Sequence, residues 1–334
     1  MILKSKAEGQ YYDIVVERGV LNNIGQLVNL QRKVLIVTDD GVPKEYSQTV
    51  AAASKTPVVV TLKQGEQSKN FDNFKLILAT MLQNGFTRKD CVVAVGGGVV
   101  GDIAGFSAAC YMRGVEFFNV PTTLLSQLDS SIGGKTAIDF EGVKNVVGSF
   151  FEPSKVIIDL DTLKTLDDRQ LHAGLVEGIK MALTSNKRLF EAIENSVDLQ
   201  KDLQLIVQSS LIIKRDIVEK DPKEKDLRMV LNFGHTLGHA IESAKKGKLL
   251  HGECVGIGML ATCSNSVRQR LVKVLEKYNL PTKADCDREE LVRLIAHDKK
   301  SQGDKIRTVI VDAPAAWRFV DMTADEIVER EDRL

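Results

Sequence analysis

Cys91-Val-Val-Ala-Val-Gly-Gly-Gly-Val-Val-Gly-Asp102 is the stretch on which the reading of the chain turns. Its five opening apolar residues show no alternation, the pattern of a strand buried on both faces. Gly96, Gly98 and Gly101 then satisfy G-x-G-x-x-G between that strand and a helical stretch, where backbone amides and a helix N-terminus can hold a pyrophosphate. A tight turn needing positive φ would explain such glycines taken alone; the strand–turn–helix context favours a dinucleotide. The usual fingerprint has an acid closing the next strand to hold a ribose. Here that strand ends in Val120-Pro121-Thr122-Thr123, so Asp39 and Asp40, closing Lys33-Val-Leu-Ile-Val-Thr-Asp-Asp40, are the available acids.

Outward from this point, Tyr11–Glu17, Lys33–Asp40, Pro57–Leu62 and Val115–Val120 read as further strands. Lys44–Ser54 and the Phe71, Phe74, Leu78, Met81 spacing read as helices between them. Strands separated by helices predict a parallel sheet with right-handed crossovers. After about residue 165 helical periodicity takes over, with helices expected over Asp168–Thr184, Leu199–Lys220, Asn232–Ala244, Glu253–Arg270 and Arg288–Ala296, and one strand over Arg307–Asp312. The expected architecture is therefore α/β plus all-α: a Rossmann-like dinucleotide-binding domain over 1–165 and a mainly helical domain over 166–334.

The 334 residues suit two domains, each able to bury a core. Forty-five Lys+Arg against 45 Asp+Glu leave no bulk charge with which to bind nucleic acid or a membrane surface. The N-terminal stretch lacks a signal-peptide core, and no apolar run approaches the ~20 residues of a spanning helix; a cytoplasmic protein is expected. Five cysteines without C-x-x-C spacing suggest neither disulfides nor a thiolate zinc site.

Three of the five histidines, His235, His239 and His251, crowd into one short segment. His235 and His239 stand at i, i+4 on one helical face, a metal-ligand spacing that solvated or core imidazoles also adopt. His251 adds a third imidazole. Glu177, on the apolar run Gly174-Leu-Val-Glu-Gly-Ile-Lys180, is a candidate further ligand because a carboxylate is costly to bury alone; an ion pair with Lys180 at i+3 accounts for it as well. Lys135 follows Gly133-Gly134 as a P-loop lysine would. Position 129, however, is Asp rather than Gly, so ATP use is not expected.

Gly96-Gly-Gly-Val-Val-Gly-Asp102, Pro121-Thr-Thr123, Asp129-Ser-Ser-Ile-Gly-Gly-Lys135, Glu177-Gly-Ile-Lys180, Leu231-Asn-Phe-Gly-His235-Thr-Leu-Gly-His239 and His251-Gly-Glu253 occur in this order. Together they resemble the 3-dehydroquinate synthase family of sugar-phosphate cyclases. That resemblance implies a homodimeric lyase of the shikimate pathway with NAD in a cleft between its domains and one Zn²⁺ (or Co²⁺). By position it implies the metal ligands Glu177, His235 and His251, with His239 in a polar role near the substrate. It implies cofactor contacts at Asp39, Glu66, Lys69, Gly97, Gly98, Val99, Asp102, Thr122, Thr123, Lys135, Lys144, Thr162, Leu163, Lys164 and Thr165.

Substrate contacts are implied at Arg113, Asp129, Lys135, Lys144, Asn145, Lys180, Lys214, Arg228, Asn232, His239 and Lys300 (or Lys299). Among these Lys135, Lys180, Arg228, Asn232 and His239 are the implied catalytic group, and Arg113 would reach across the dimer. The implied substrate, 3-deoxy-D-arabino-heptulosonate 7-phosphate, carries a carboxylate and a phosphate, which explains the cluster of Lys and Arg. One departure stands out: many members carry Ile-Gly-Lys after the last strand, where this chain has Pro314-Ala-Ala-Trp317. A metal-dependent polyol dehydrogenase of the glycerol dehydrogenase type shares the glycine turn and two-domain plan, but has no use for the cationic cluster.

Overall fold

The computed structural model describes residues 1–7, 10–298 and 305–331, and the chain divides into two compact units, Met1–Leu166 and Asp167–Leu334. The first unit is built on a seven-stranded sheet. In chain order its strands are β1 (Ile2–Ala7), β2 (Gln10–Val16), β3 (Lys33–Asp39), β4 (Thr56–Leu62), β5 (Cys91–Gly96), β6 (Glu116–Pro121) and β9 (Lys155–Ile158). They lie in the order β1-β2-β9-β6-β5-β3-β4, antiparallel only between β1 and β2. Strands β7 (Lys135–Phe140) and β8 (Val143–Phe150) form a separate hairpin.

Helices α1 (Ile24–Leu27), α2 (Lys44–Ala53), α3 (Phe71–Gln83) and α4 (Gly98–Cys110) complete this unit. Alternate residues of β5 enter two separate cores: Val92 and Ala94 one, Cys91, Val93 and Val95 the other. The sheet is therefore covered on both faces, which is why β5 reads as an unbroken apolar run. Each such fully buried aliphatic side chain contributes about 1.5–3 kcal/mol.

In the second unit run α5 (Asp168–Ser185), α6 (Lys187–Asn195), α7 (Leu199–Lys220), α8 (His235–Lys245), α9 (His251–Ala261), α10 (Asn265–Lys277), α11 (Arg288–Asp298) and α12 (Ala324–Glu331). Strands β10 (Ile306–Ala313) and β11 (Ala316–Met322) pair as a hairpin. Three sequence expectations are corrected here. The helix expected over Glu253–Arg270 is two helices, because Thr262-Cys263-Ser264 leaves helical geometry to bond β10: Ser264 N–H donates to Val311 O at 2.9 Å, and Val311 N–H to Thr262 O at 3.1 Å. Ser264 then caps α10 through Val267 N–H. The helix expected from Asn232 begins only at His235, since Gly234 is left-handed at φ 78° and Leu227–Asn232 forms a 3-10 turn. The strand at Arg307–Asp312 has a partner, β11, that its polar alternation concealed.

At the β10–β11 turn Ala315 occupies the left-handed region at φ 64°, and its N–H donates to Leu183 O at 2.8 Å. This is where the departure Pro314-Ala-Ala-Trp317 falls. Among the described residues no helix is long and apolar enough to cross a membrane, and all five cysteines are free.

Candidate functional site

The helical unit brings three imidazoles and one carboxylate to a point. Gly234 needs a left-handed backbone to start α8 at His235, and a Cβ on Gly258 of α9 would lie 2.0 Å from Gly234 O. A Cβ on Gly252 would lie 1.9 Å from Ala173 O, so α9 also meets α5 backbone to backbone. These close approaches carry His235, His251 and Glu177 together from three helices. The ligand atoms of His235, His239 and His251 lie within 4.8 Å of one another. Glu177 Oε1 is 3.6 Å from Nε2 of both His235 and His251.

Glu177 is fully buried, and among the described residues neither of its carboxylate oxygens has a hydrogen-bond partner. Lys180 Nζ stands against Oε2, so the i+3 ion pair forms as well, without hydrogen-bond geometry. The two imidazoles are turned from behind. His235 Nδ1 lies 3.2 Å from Phe233 O, and His251 Nδ1 lies 3.0 Å from Glu242 Oε2. Both rings thereby aim Nε2 at Glu177, the arrangement that orients metal-bound histidines. Ligands ~2.1 Å from a tetrahedral ion lie about 3.4 Å apart, so two nitrogens at 3.6 Å from one carboxylate oxygen fit a zinc-sized ion.

Charge agrees with geometry. Burial alone would raise the Glu177 carboxyl, but the Lys180 ammonium and His251 outweigh it and hold it below the usual carboxylate range. Burial, with Lys180 and His251 nearby, drives His235 well down and keeps it neutral. Burial opposes protonation of His251, yet Glu177 and Glu242 push it up to about 9. The protein thus places a proton where a cation would neutralise the same carboxylate.

Further cations of this unit are buried: Lys180 is 2 % exposed, Arg228 3 % and Lys214 7 %. The turn Leu227–Asn232 packs against α5 and α7, bringing Arg228 and Asn232 to the helices that carry Lys180 and Lys214. Arg228 Nη1 donates to Pro222 O at 2.7 Å, and Asn232 Nδ2 donates to Glu224 Oε1 at 2.6 Å. Lys299 and Lys300 lie outside the described residues.

In the sheet unit the site forms at the carboxyl ends of the strands. From β3 the chain passes to β4 on one side and returns to β5 on the other, and ligands of open α/β sheets bind where strand order reverses in this way. Asp39 ends β3, Gly96 ends β5, and Thr122 and Thr123 follow β6. Asp39 is 8 % exposed, and burial raises its carboxyl although Gly41 N–H donates to it at 2.9 Å. Helix α4 begins after Gly97 with no side-chain cap, leaving its first amides to a ligand. Thr123 Cγ2 would be 3.0 Å from a Cβ on Gly97, which keeps this approach to glycine. Val99 occupies the first turn of α4.

Lys69 is 3 % exposed; its Nζ donates to Asp102 Oδ2 at 2.8 Å and to Asn145 Oδ1, and lies 3.3 Å from Glu66 Oε1. Asp102 also lines a small polar pocket with Lys135, Ser130 and Ser131. A single π turn over Ser126–Ser130 carries Asp129, a geometry that often marks functional positions. Lys144 lies with Asn145 on β8. Thr162 and Leu163 are buried in their own unit: Thr162 Oγ1 accepts Gln127 Nε2 at 3.0 Å, and Leu163 is 1 % exposed. Lys164 pairs with Asp161 at 2.9 Å, and Thr165 Oγ1 shares a 2.8 Å hydrogen bond with Tyr46. Arg113 is exposed in a left-handed turn at φ 67°, following Met112 at φ 49°.

Sequence reasoning assigned no role to three acids. Glu242 lies on the His235 and His239 face of α8, a signal readable as H-x-x-x-H-x-x-E. Glu253 is 4 % exposed, binds Arg169 of α5 through two contacts at 2.7 and 2.8 Å, and accepts Leu250 N–H at 2.8 Å. It braces the first turn of α9 beside His251. Glu224 sits in a charged loop that looks like any solvated run.

Two family models match consecutive parts of the chain: 3-dehydroquinate synthase N-terminal over residues 59–173, and 3-dehydroquinate synthase C-terminal over 174–301. A 3-dehydroquinate synthase of Enterococcus faecalis is 40% identical, covering 95% of this chain and 94% of its own length. One from Clostridium acetobutylicum is 39% identical over 90% of each. Among solved structures, 2-epi-5-epi-valiolone synthase from Streptomyces hygroscopicus, with NAD+ and Zn2+ bound, superposes with a TM-score of 0.89 at 27% identity, covering 98% of this chain and 97% of that one. Both halves of the chain and its full-length relatives agree, and the chain belongs to the 3-dehydroquinate synthase family.

Proposed function

We propose that the chain converts 3-deoxy-D-arabino-heptulosonate 7-phosphate to 3-dehydroquinate and phosphate, the second step of the shikimate pathway, by oxidation at C5, phosphate elimination, reduction, ring opening and internal aldol closure. The observation that carries this reading is the buried Glu177 carboxylate facing two back-supported imidazoles, in a unit that also buries Lys180, Lys214 and Arg228. A polyol dehydrogenase would need the first feature and not the second.

Bound at the strand ends, NAD would supply reversible hydride acceptance for C5, and zinc or cobalt, which Glu177, His235 and His251 would hold, would supply Lewis acidity toward the substrate hydroxyls. Phe233 O and Glu242 keep a proton on Nδ1 of His235 and His251, so that each Nε2 presents its lone pair. Lys180, Lys214 and Arg228, with Lys300, Lys135 and Lys144, bind the carboxylate and phosphate oxygens. The burial of Lys180, Lys214 and Arg228 strengthens their contacts by excluding water. Asp129, Asn145, Asn232 and His239 orient the hydroxyls. Glu66, Lys69 and Asp102 hold the nucleotide beside the amides of α4, with Thr122 and Thr123 limiting its approach.

The reading extends to a homodimer. Phe71, Phe140, Val143, Val146 and Phe150 are all exposed on the sheet unit, and the Phe71 and Phe140 rings meet edge to face at 5.3 Å. Such a grouped apolar surface suits a second copy. The strained turn at Met112-Arg113 then offers Arg113 to the partner's substrate. Release of phosphate without net NADH is the experiment that tests the reaction.

A further inference from the structure

The hairpin β7–β8 breaks register at one place. Ile138 pairs with Val147 and Phe140 with Val143, so Asp139 alone faces Lys144, Asn145 and Val146. Two surplus residues are thereby extruded from β8, and bulges of this kind re-aim side chains beside active sites. The cost is visible in the backbone: Glu141, Gly142 and Asn145 all have positive φ, at 50°, 78° and 55°. Asn tolerates that region better than most residues, yet one so placed needs contacts to keep it there.

Two contacts do so. Asn145 N–H donates to Asp139 Oδ1 at 2.9 Å, and Asn145 Oδ1 accepts from Lys69 Nζ. The same ammonium donates to Asp102 at 2.8 Å, and Asp139 N–H donates to Lys69 O at 2.8 Å. Asp139, Lys69 and Asn145 form a closed loop of hydrogen bonds with Asp102 at its side. An ordinary hairpin position needs no such arrangement.

We propose that Asp139 is a positioning residue that fixes the Lys144–Asn145 bulge in the conformation presenting Asn145 to the phosphorylated sugar acid, and ties it through Lys69 to Asp102. The proposal rests on the reading of Asn145 as a substrate contact. Lys69 has three donors, and Asp102, Asn145 and Glu66 surround its ammonium. Freed from Asp139, Asn145 would leave the left-handed region and withdraw its carbonyl oxygen from that set.

The test is steady-state kinetics of Asp139→Ala and Asp139→Asn, with backbone amide exchange of the wild type and the Ala variant. Loss of one charge-assisted hydrogen bond predicts that Asp139→Ala raises KM for the heptulosonate phosphate about tenfold. KM for NAD should rise by less than the sugar KM, and Asp139→Asn, which keeps an oxygen acceptor, should restore the sugar KM to within about threefold. An unchanged sugar KM in Asp139→Ala with the Asn145 amide still protected, both KM values rising together, or no rescue by Asn overturns the proposal. Exchange in the wild type needs no variant to fold: an Asn145 amide exchanging as fast as a free amide overturns the hydrogen bond itself. A protected amide released in Asp139→Ala at constant KM overturns instead the substrate reading on which the proposal rests.

Discussion

Glu242 Oε2 stands 3.0 Å from Nδ1 of His251 and leaves Nε2 of that ring facing Glu177 at 3.6 Å. A carboxylate behind a metal-bound histidine fixes its tautomer and raises its basicity, and removing such a group costs about 10–100-fold in metal affinity. Glu242→Ala is expected to weaken zinc binding by that factor, read by competition against a fluorescent chelator. Unchanged affinity would separate Glu242 from the centre.

Helix α9 can carry His251 to Glu177 only because position 252 has no side chain. A Cβ there would fall 1.9 Å from Ala173 O, a backbone atom that cannot swing aside. Gly252→Ala should therefore push α9 off α5, at a cost in the upper part of the ~1–3 kcal/mol range of overpacked cores. Thermal midpoint and zinc affinity are expected to fall together; a variant that keeps both would show that the helices need no such approach.

Asp102 predicts a pH dependence. Burial, opposed by Lys69, pushes its carboxyl up to about 6 from the ordinary 3.8. The folded value lies above the unfolded one, so the contribution to stability is full below the unfolded value and is lost as pH rises through about 6. Asn in its place does not titrate. The thermal midpoint of Asp102→Asn, relative to wild type in the absence of NAD, should thus rise between about pH 4 and pH 7. A difference that stays flat across this range contradicts the shift.

The exposed apolar face predicts self-association. Phe150 is 57% exposed on the outer side of β8, while Val147 on its inner side and Phe151 just after it pack on the core. Phe150→Glu is expected to lower the sedimenting mass from two chains to one while leaving the far-ultraviolet circular dichroism unchanged. Two chains in the variant would place the dimer contact elsewhere.

How much of this was legible in the sequence follows from what kind of signal each element leaves. β5 and its glycines were plain because a strand covered on both faces and a turn closing on a helix each restrict composition. Helices α5 and α7 were plain from apolar spacing. The break between α9 and α10 was hidden because Ser264 caps the second helix without interrupting the apolar pattern, and the bonds that impose the break come from Val311, far along the chain. The hairpin β7–β8 was hidden because its outer face is apolar and its register is broken at Asp139.

The metal centre divided in the same way. The spacing of His235 and His239 suggested a shared face, and their rings do approach, with centroids at 5.3 Å. Spacing could not rank Glu177 against His239, since Glu177 comes from another helix. What ranks it is the burial of its carboxylate and the absence, among the described residues, of a hydrogen bond to it. Glu253 stands in the motif His251-Gly-Glu253, but its partner Arg169 comes from α5, so spacing alone gives it no role.

In the proposed reaction oxidation serves elimination and is undone within each turnover. The measurement that tests it most directly is incubation of the zinc-loaded protein with NAD+ and 3-deoxy-D-arabino-heptulosonate 7-phosphate, following inorganic phosphate and NADH absorbance together. One phosphate is expected per substrate consumed with no accumulating NADH, and activity should be lost on chelation and restored by zinc. NADH building up mole for mole with substrate, without phosphate, would contradict it and leave a dehydrogenase.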